Sequence, residues 1–393
     1  MAKHNLLKLN LEHGLAFASK AGDFVEQSIG NAIDNSALKA QILPEEPKDK
    51  TWYRVPLAKG LSGDGSEYYI YVKIADPDKL CIFLSGGGVA WNEYTAARPV
   101  TGGAVASKAP NFYWNNLRPF TQIMNINVGI TDNISNANPF RDWSFVVITY
   151  ATGDFHVGNN DFTYQAEDGS EQVLHFHGKV NFEESMKIAR KLFDHPKQLL
   201  IAGNSAGAFA VPALTPEILS TYYPDNHDVT LLSDSGLLLY KGWHKCAKKI
   251  WNADERVYKA IHTDNITLDW YKALIKDYGD RIRPLYASST RDYLLSAYYN
   301  DIMNHKYETD ADVQQQFYEQ LCVMVEELQA LHPEFRFFIN DWKLPLVTQG
   351  GTVHTSVREF YFTVMKMNGI SMAEWLHDAV MQKNYNVGMS LLT

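Results

Sequence analysis

Cysteine is scarce: Cys81, Cys246 and Cys322 are the only three in 393 residues, and no pair has Cys-x-x-Cys spacing. That excludes a disulfide framework and gives no dithiol or zinc-ribbon motif. Long apolar runs are missing too. The longest stretches, such as FVVITYA (145–151), fall far short of the ~20 residues a membrane-spanning helix needs. The segment leading to Phe24 lacks the apolar core of a signal peptide. A cytoplasmic protein without a membrane span is therefore expected. Basic charge is in deficit, with 36 Lys plus Arg against 45 Asp plus Glu, a net charge of −9, and no Lys/Arg cluster. That balance argues against nucleic acid and anionic membranes as partners. No internal repeat or low-complexity tract stands out.

Apolar residues are plentiful, at 46%, and aromatics reach 13%, so the chain can bury a large core and line aromatic pockets. Residues 1–50 read as a separate layer. Leu11, Leu15, Phe17, Phe24 and Val25 lie at helical spacing, and the polar PEEPKDK (44–50) closes the segment. We expect an N-terminal helical extension over 1–50 and a catalytic domain over 51–393. From residue 66 the character changes. SEYYIYVKIA (66–75) has strand composition. Short apolar runs ended by Gly, Ser or Asp then recur at 81–88, 144–154, 198–207, 229–236, 284–292 and 335–342. Continuous apolar strands of this kind suit a sheet buried on both faces. Helical patterns lie between them. Asn181 with Glu184 reads as a capping box opening a helix that Pro196 stops, and 311–331 reads as a long helix. The alternation predicts a mostly parallel, doubly wound α/β sheet flanked by helices, with ligands bound at the carboxyl ends of the strands.

Gly203-Asn204-Ser205-Ala206-Gly207 follows one strand run and precedes the helix-compatible AFAVPAL. Gly-x-Ser-x-Gly in a strand–turn–helix context is the nucleophile elbow of α/β-hydrolases: both glycines clear a strained turn, and the serine hydroxyl stands at a helix N-terminus. A plain Gly/Ser turn is the bland alternative. Gly86-Gly87-Gly88 follows the strand CIFLS. It lacks the Gly-Lys-Ser/Thr and Gly-x-Gly-x-x-Gly patterns of phosphate cradles. A glycine-rich loop that comes before the elbow in the chain instead fits the source of a second oxyanion-hole amide.

A serine nucleophile needs a base, and the base needs a carboxylate, in the chain order serine, acid, histidine. His354, in the glycine-rich TQGGTVHTS, is the expected base; His332 and His377 read as structural or surface residues. For the acid, Asp292 after PLYASS competes with a bare N-cap role. Asp341, 13 residues before His354, and Asp234, after VTLLS, are its rivals.

Six segments bear a family resemblance: FLSGGGVAWN (83–92), ATGDFHVGN (151–159), HFHGKVNF (175–182), GNSAGAF (203–209), LLSDSG (231–236) and GGTVHT (350–355). In this order they resemble the pectin acetylesterase/Notum family of α/β-hydrolases. ATGDFHVG is the most specific of them. One difference is Val89-Ala90-Trp91 after the glycines, where the family carries Trp and then Cys. The resemblance implies Ser205 as nucleophile, His354 as base and Asp292 as acid, with Gly87, Gly88 and Ala206 at the oxyanion hole. Trp91, Asp154, His156 and Asn204 would shape the site.

The expected activity is hydrolysis of an acetyl or short acyl ester of a small or polymeric substrate, a saccharide among the options, with no cofactor and no metal. A polyester depolymerase, an acyltransferase or amidase on the same scaffold, and a silent binding scaffold are the alternatives. Asp154, His156, His175 and His177 also admit a rival reading as a zinc site.

Overall fold

A computed structural model describes residues 39–118, 121–345 and 347–393. Its centre is a nine-stranded sheet. In chain order the strands are β1 (Gln41–Ile42), β2 (Trp52–Leu61), β3 (Glu67–Lys73), β4 (Asp76–Leu84), β5 (Trp143–Ile148), β8 (Gln198–Asn204), β9 (Val229–Asp234), β10 (Ile282–Ser289) and β11 (Arg336–Asn340). Strands β6 (Asn160–Gln165) and β7 (Glu171–Phe176) form a separate antiparallel hairpin. The spatial order is β1-β2-β3-β5-β4-β8-β9-β10-β11, and from β5 to β11 every pairing is parallel.

The apolar runs explain the centre. Leu80 through Leu84, Val146 through Ile148 and Leu200 through Ala202 are fully buried, because helices cover both faces of a parallel sheet and leave no face for polar side chains. Helix α1 (Gly178–Leu192) packs on β2 and β5, α2 (Ala206–Glu217) on β8 and β9, and α3 (Ile266–Tyr278) on α2. Helix α4 (Tyr293–Asn304) packs on α5 (Ala311–Leu331). This is the mostly parallel, helix-flanked sheet of an α/β-hydrolase fold.

β4 leads to β5 on one side, and the later strands add on the other side from β8. The order therefore reverses between β4 and β8. The crevice outside the carboxyl ends of strands at such a switch point is where open α/β sheets bind ligands. The Gly86–Gly88 loop leaves β4 there, and Ser205 leaves β8 beside it.

One local expectation is corrected, and one lies mostly outside the described residues. The helical spacing at 11–25 lies outside the described residues, and the described part of the N-terminal layer is not helical. Gln41–Ile42 pairs in parallel with Tyr53–Arg54 and extends the sheet edge. Asn181 does not cap a helix. Helix α1 already begins at Gly178, and the Asn181 side chain instead accepts from the Leu61 amide and donates to the Leu61 carbonyl, both at 2.9 Å. It anchors α1 to β2, a long-range pairing that outweighs a local cap signal. The apolar face of that helix holds: Phe182, Met186 and Ala189 are fully buried.

Candidate active site

Ser205 occupies the turn between β8 and α2 with φ 52° and ψ −123°, outside the regions that side chains ordinarily adopt. The flanking glycines are what allow this. A Cβ on Gly203 would lie 2.3 Å from the Gly207 carbonyl oxygen, and one on Gly207 would lie 1.9 Å from the Leu84 carbonyl oxygen. Strand and helix approach each other too closely for any side chain there. The Ser205 amide donates to the Asp234 carbonyl at 2.8 Å, tying the elbow to the end of β9.

Gly88 sits at φ 79°, and a Cβ on it would fall 1.9 Å from the Phe112 carbonyl oxygen. The loop is held on both sides. Trp114 donates its amide to the Gly87 carbonyl, and the Gly86 amide donates to Asn204 Oδ1 at 3.1 Å. The amides of Gly87, Gly88 and Ala206 have no acceptor among the described residues. Free amides beside a serine at a helix N-terminus can bind a developing oxyanion.

His354 donates Nδ1–H to Asp292 Oδ2 at 2.7 Å, and its Nε2 is buried without a hydrogen-bond partner among the described residues. Asp292 is fully buried. Its other oxygen, Oδ1, accepts the amides of Leu294 and Leu295 at 3.0 Å and caps α4. Both readings of Asp292 thus hold at once, one on each oxygen. Burial is the largest influence on the His354 pKa and lowers it, but the charges of Asp292, Asp234 and Glu359 outweigh burial and raise it overall.

The rival acids sit elsewhere. Asp341 is exposed and makes no contact with His354 among the described hydrogen bonds. Asp234 is fully buried, and Oδ2 accepts the amides of Ser356 (2.6 Å) and Val357 (2.7 Å). It fixes the loop carrying His354 rather than the ring itself. Burial pushes the Asp234 carboxyl up to about 6.

Ser205, His354, Asn204 and Gly86 through Gly88 open into one cleft of about 400 Å³. Trp114, Tyr293, Tyr298 and Tyr307 supply aromatic walls, Asn111, Asn125, Arg358 and Glu359 polar ones, and Ile123, Met124 and Val128 an apolar rim. No hydrogen bond joins Ser205 Oγ to His354. Asp292 stands behind His354, and Trp91, Asp154 and His156 stand behind the wall. The Trp91 ring packs edge-on to Phe112 and against Tyr298. Asp154 accepts from Thr152 Oγ1 and from the amides of His156 and Gly178, and burial lifts its carboxyl to about 6. His156 Nε2 donates to the Ser85 carbonyl at 2.9 Å, and burial holds its pKa down at about 4. The ring is therefore neutral and braces the root of the Gly86–Gly88 loop.

Sequence reasoning missed Arg358 and Glu359. Arg358 is buried, donates to Ser85 Oγ at 3.2 Å and lies over the Phe83 ring; burial lowers its pKa to about 10. The only available signal was their position four and five residues past His354. The four side chains of the zinc reading do not form one ligand group: Asp154 and His156 are committed to the loops described above, and of the four only His175 and His177 belong to a cluster of ligand-type atoms among the described residues.

A sequence model of the pectinacetylesterase family matches residues 59–269, more than half of the chain. The chain belongs to the pectinacetylesterase family. Membership makes the protein a carboxylic ester hydrolase. The matched span contains the glycine loop and the elbow and stops before Asp292 and His354. Among solved structures, the fold is similar to that of the Wnt deacylase Notum from Drosophila, with a TM-score of 0.58 and 15% identity over 85% of this chain and 95% of that one. No curated protein matches the sequence. No helix among the described residues is long and apolar enough to cross a membrane.

Proposed function

We propose that this pectinacetylesterase-family protein removes acetyl or other short acyl groups from a hydroxylated substrate such as a saccharide, using Ser205, His354 and Asp292 as a catalytic triad. One observation carries the reading: an imidazole fixed by a buried carboxylate leaves its second nitrogen unpaired in the cleft that also holds a strained serine. His354 Nε2 takes the Ser205 proton as Oγ attacks the acyl carbon. The amides of Gly87, Gly88 and Ala206 receive the oxyanion, each worth about 3–4 kcal/mol in the transition state. His354 returns the proton to the departing alkoxide, and water then repeats the cycle on the acyl-enzyme. The short-acyl preference rests on the cleft wall. Four aromatic residues share about 400 Å³ with amides, charges and an apolar rim, an environment suited to ring faces and hydroxyls beside a small acyl group.

A panel of p-nitrophenyl esters from acetate to palmitate, run beside an acetylated oligosaccharide, tests this. The expected outcome is the highest kcat/KM at two to four carbons, as an order-of-magnitude preference, with acetate released from the saccharide. Highest activity on the longest chain would overturn the substrate assignment.

A further inference from the structure

The ester chemistry leaves one cluster of ligand-type side chains unused. On the β6–β7 hairpin Asp161 pairs directly opposite His175. His177 lies one residue beyond β7, where the chain turns into helix α1, and its ring reaches the same carboxylate. Asp161 Oδ1 meets His175 Nδ1 at 2.6 Å and His177 Nε2 at 3.0 Å, and the three ligand atoms all lie within 4.8 Å of one another. The imidazoles are about a quarter exposed and Asp161 is exposed, so the cluster is open to solvent on one side.

Two imidazole nitrogens and one carboxylate oxygen suit borderline divalent transition metals, zinc foremost; calcium and magnesium favour oxygen alone. In a tetrahedral zinc site with bonds of ~2.0 Å the ligand atoms stand ~3.3 Å apart. The two carboxylate–imidazole spacings need to open by less than about 1 Å to reach that. We propose that Asp161, His175 and His177 bind one divalent transition metal ion, with water in the remaining position. The metal takes the place of the hydrogens now shared between each ring nitrogen and the carboxylate. A neutral ring moves that proton to its opposite nitrogen by exchange with solvent, and a ring protonated on both nitrogens loses one proton to solvent, so the metal binds the neutral imidazole.

The position suggests what the metal does. His177 immediately precedes helix α1, and the next amide, Gly178, donates to Asp154 at 2.8 Å. The metal would pin the hairpin to the start of α1. None of the three ligands lines the ester cleft, so this site stands apart from the hydrolytic reading.

The test is zinc chloride titration of the full-length, EDTA-stripped protein by calorimetry and elemental analysis, with melting curves alongside. The wild type is expected to take up one equivalent. Its Tm should rise by roughly 3 °C at a hundredfold excess over Kd. Asp161→Asn and the double variant His175→Gln/His177→Gln should bind that equivalent at least ~10-fold more weakly and lose the Tm shift. Ester turnover at room temperature should be the same with and without zinc. Because Asp161 is exposed, Asp161→Asn reports even if the histidine variant does not fold. No uptake by the wild type, or equal uptake by folded Asp161→Asn, would overturn the site.

Discussion

Asp292 divides two tasks between two oxygens: Oδ1 caps α4, and Oδ2 holds the His354 ring. Asparagine keeps an acceptor for the cap but offers an amide to His354 and favours the wrong tautomer. Asp292→Asn should therefore lower kcat by roughly 10⁴ while unfolding within about 1 kcal/mol of wild type. Asp341→Asn should change kcat less than twofold by order of magnitude, since an exposed carboxylate away from the ring has nothing to orient. The opposite ranking, with both variants folded, would move the acid. The pH profile follows from the same pair. In the proposed triad His354 must be neutral to accept the serine proton, so kcat/KM should rise with pH through its pKa. Asp292, Asp234 and Glu359 hold that pKa above its ordinary value, so the midpoint should lie above the ~6.5 of free imidazole and drop in Asp292→Asn. An unchanged midpoint in that variant would argue against the pairing.

At the scale of elements, the elbow depends on α2 approaching both β8 and β4 too closely for a Cβ: Gly203 faces the Gly207 carbonyl, and Gly207 faces the Leu84 carbonyl. Gly207→Ala should cost roughly 1–3 kcal/mol or more in denaturant unfolding and remove most activity. Gly279→Ala is the control: its Cβ meets only ordinary contacts at 3.5 Å, so its melting curve should stay close to wild type. Equal stability of the two variants would mean the elbow is not strained as described. The strands at the centre of the sheet were legible in the sequence because each is a local apolar run, and the elbow because glycine spacing carries its geometry. Two things were not. The three strand-end aspartates, Asp234, Asp292 and Asp341, look alike in sequence, and only folding separates the loop clamp, the histidine partner and the exposed side chain. The Asn181 cap signal was local, and the partner that overrode it, Leu61, lies 120 residues away.

Across the whole molecule, the reversal of strand order between β4 and β8 brings the glycine loop and Ser205 together, and the loops after β10 and β11 bring Asp292 and His354 to the same edge. The bridge between Asp292 and Thr352 joins those last two loops. The metal cluster sits on a hairpin outside this sheet, which makes chelation a discriminating experiment. EDTA should leave the initial rate of ester hydrolysis unchanged and lower only the Tm of zinc-loaded protein. A rate lost on chelation and restored by zinc would point to metal-assisted hydrolysis instead. The serine mechanism itself is reached most directly by reaction with a fluorophosphonate, read by intact mass and peptide mapping. A single adduct on Ser205 is expected, with labelling and turnover both lost in Ser205→Ala, the latter by about 10⁴–10⁶ in kcat. An adduct on another serine, or a folded Ser205→Ala that keeps more than about a tenth of wild-type turnover, would contradict it.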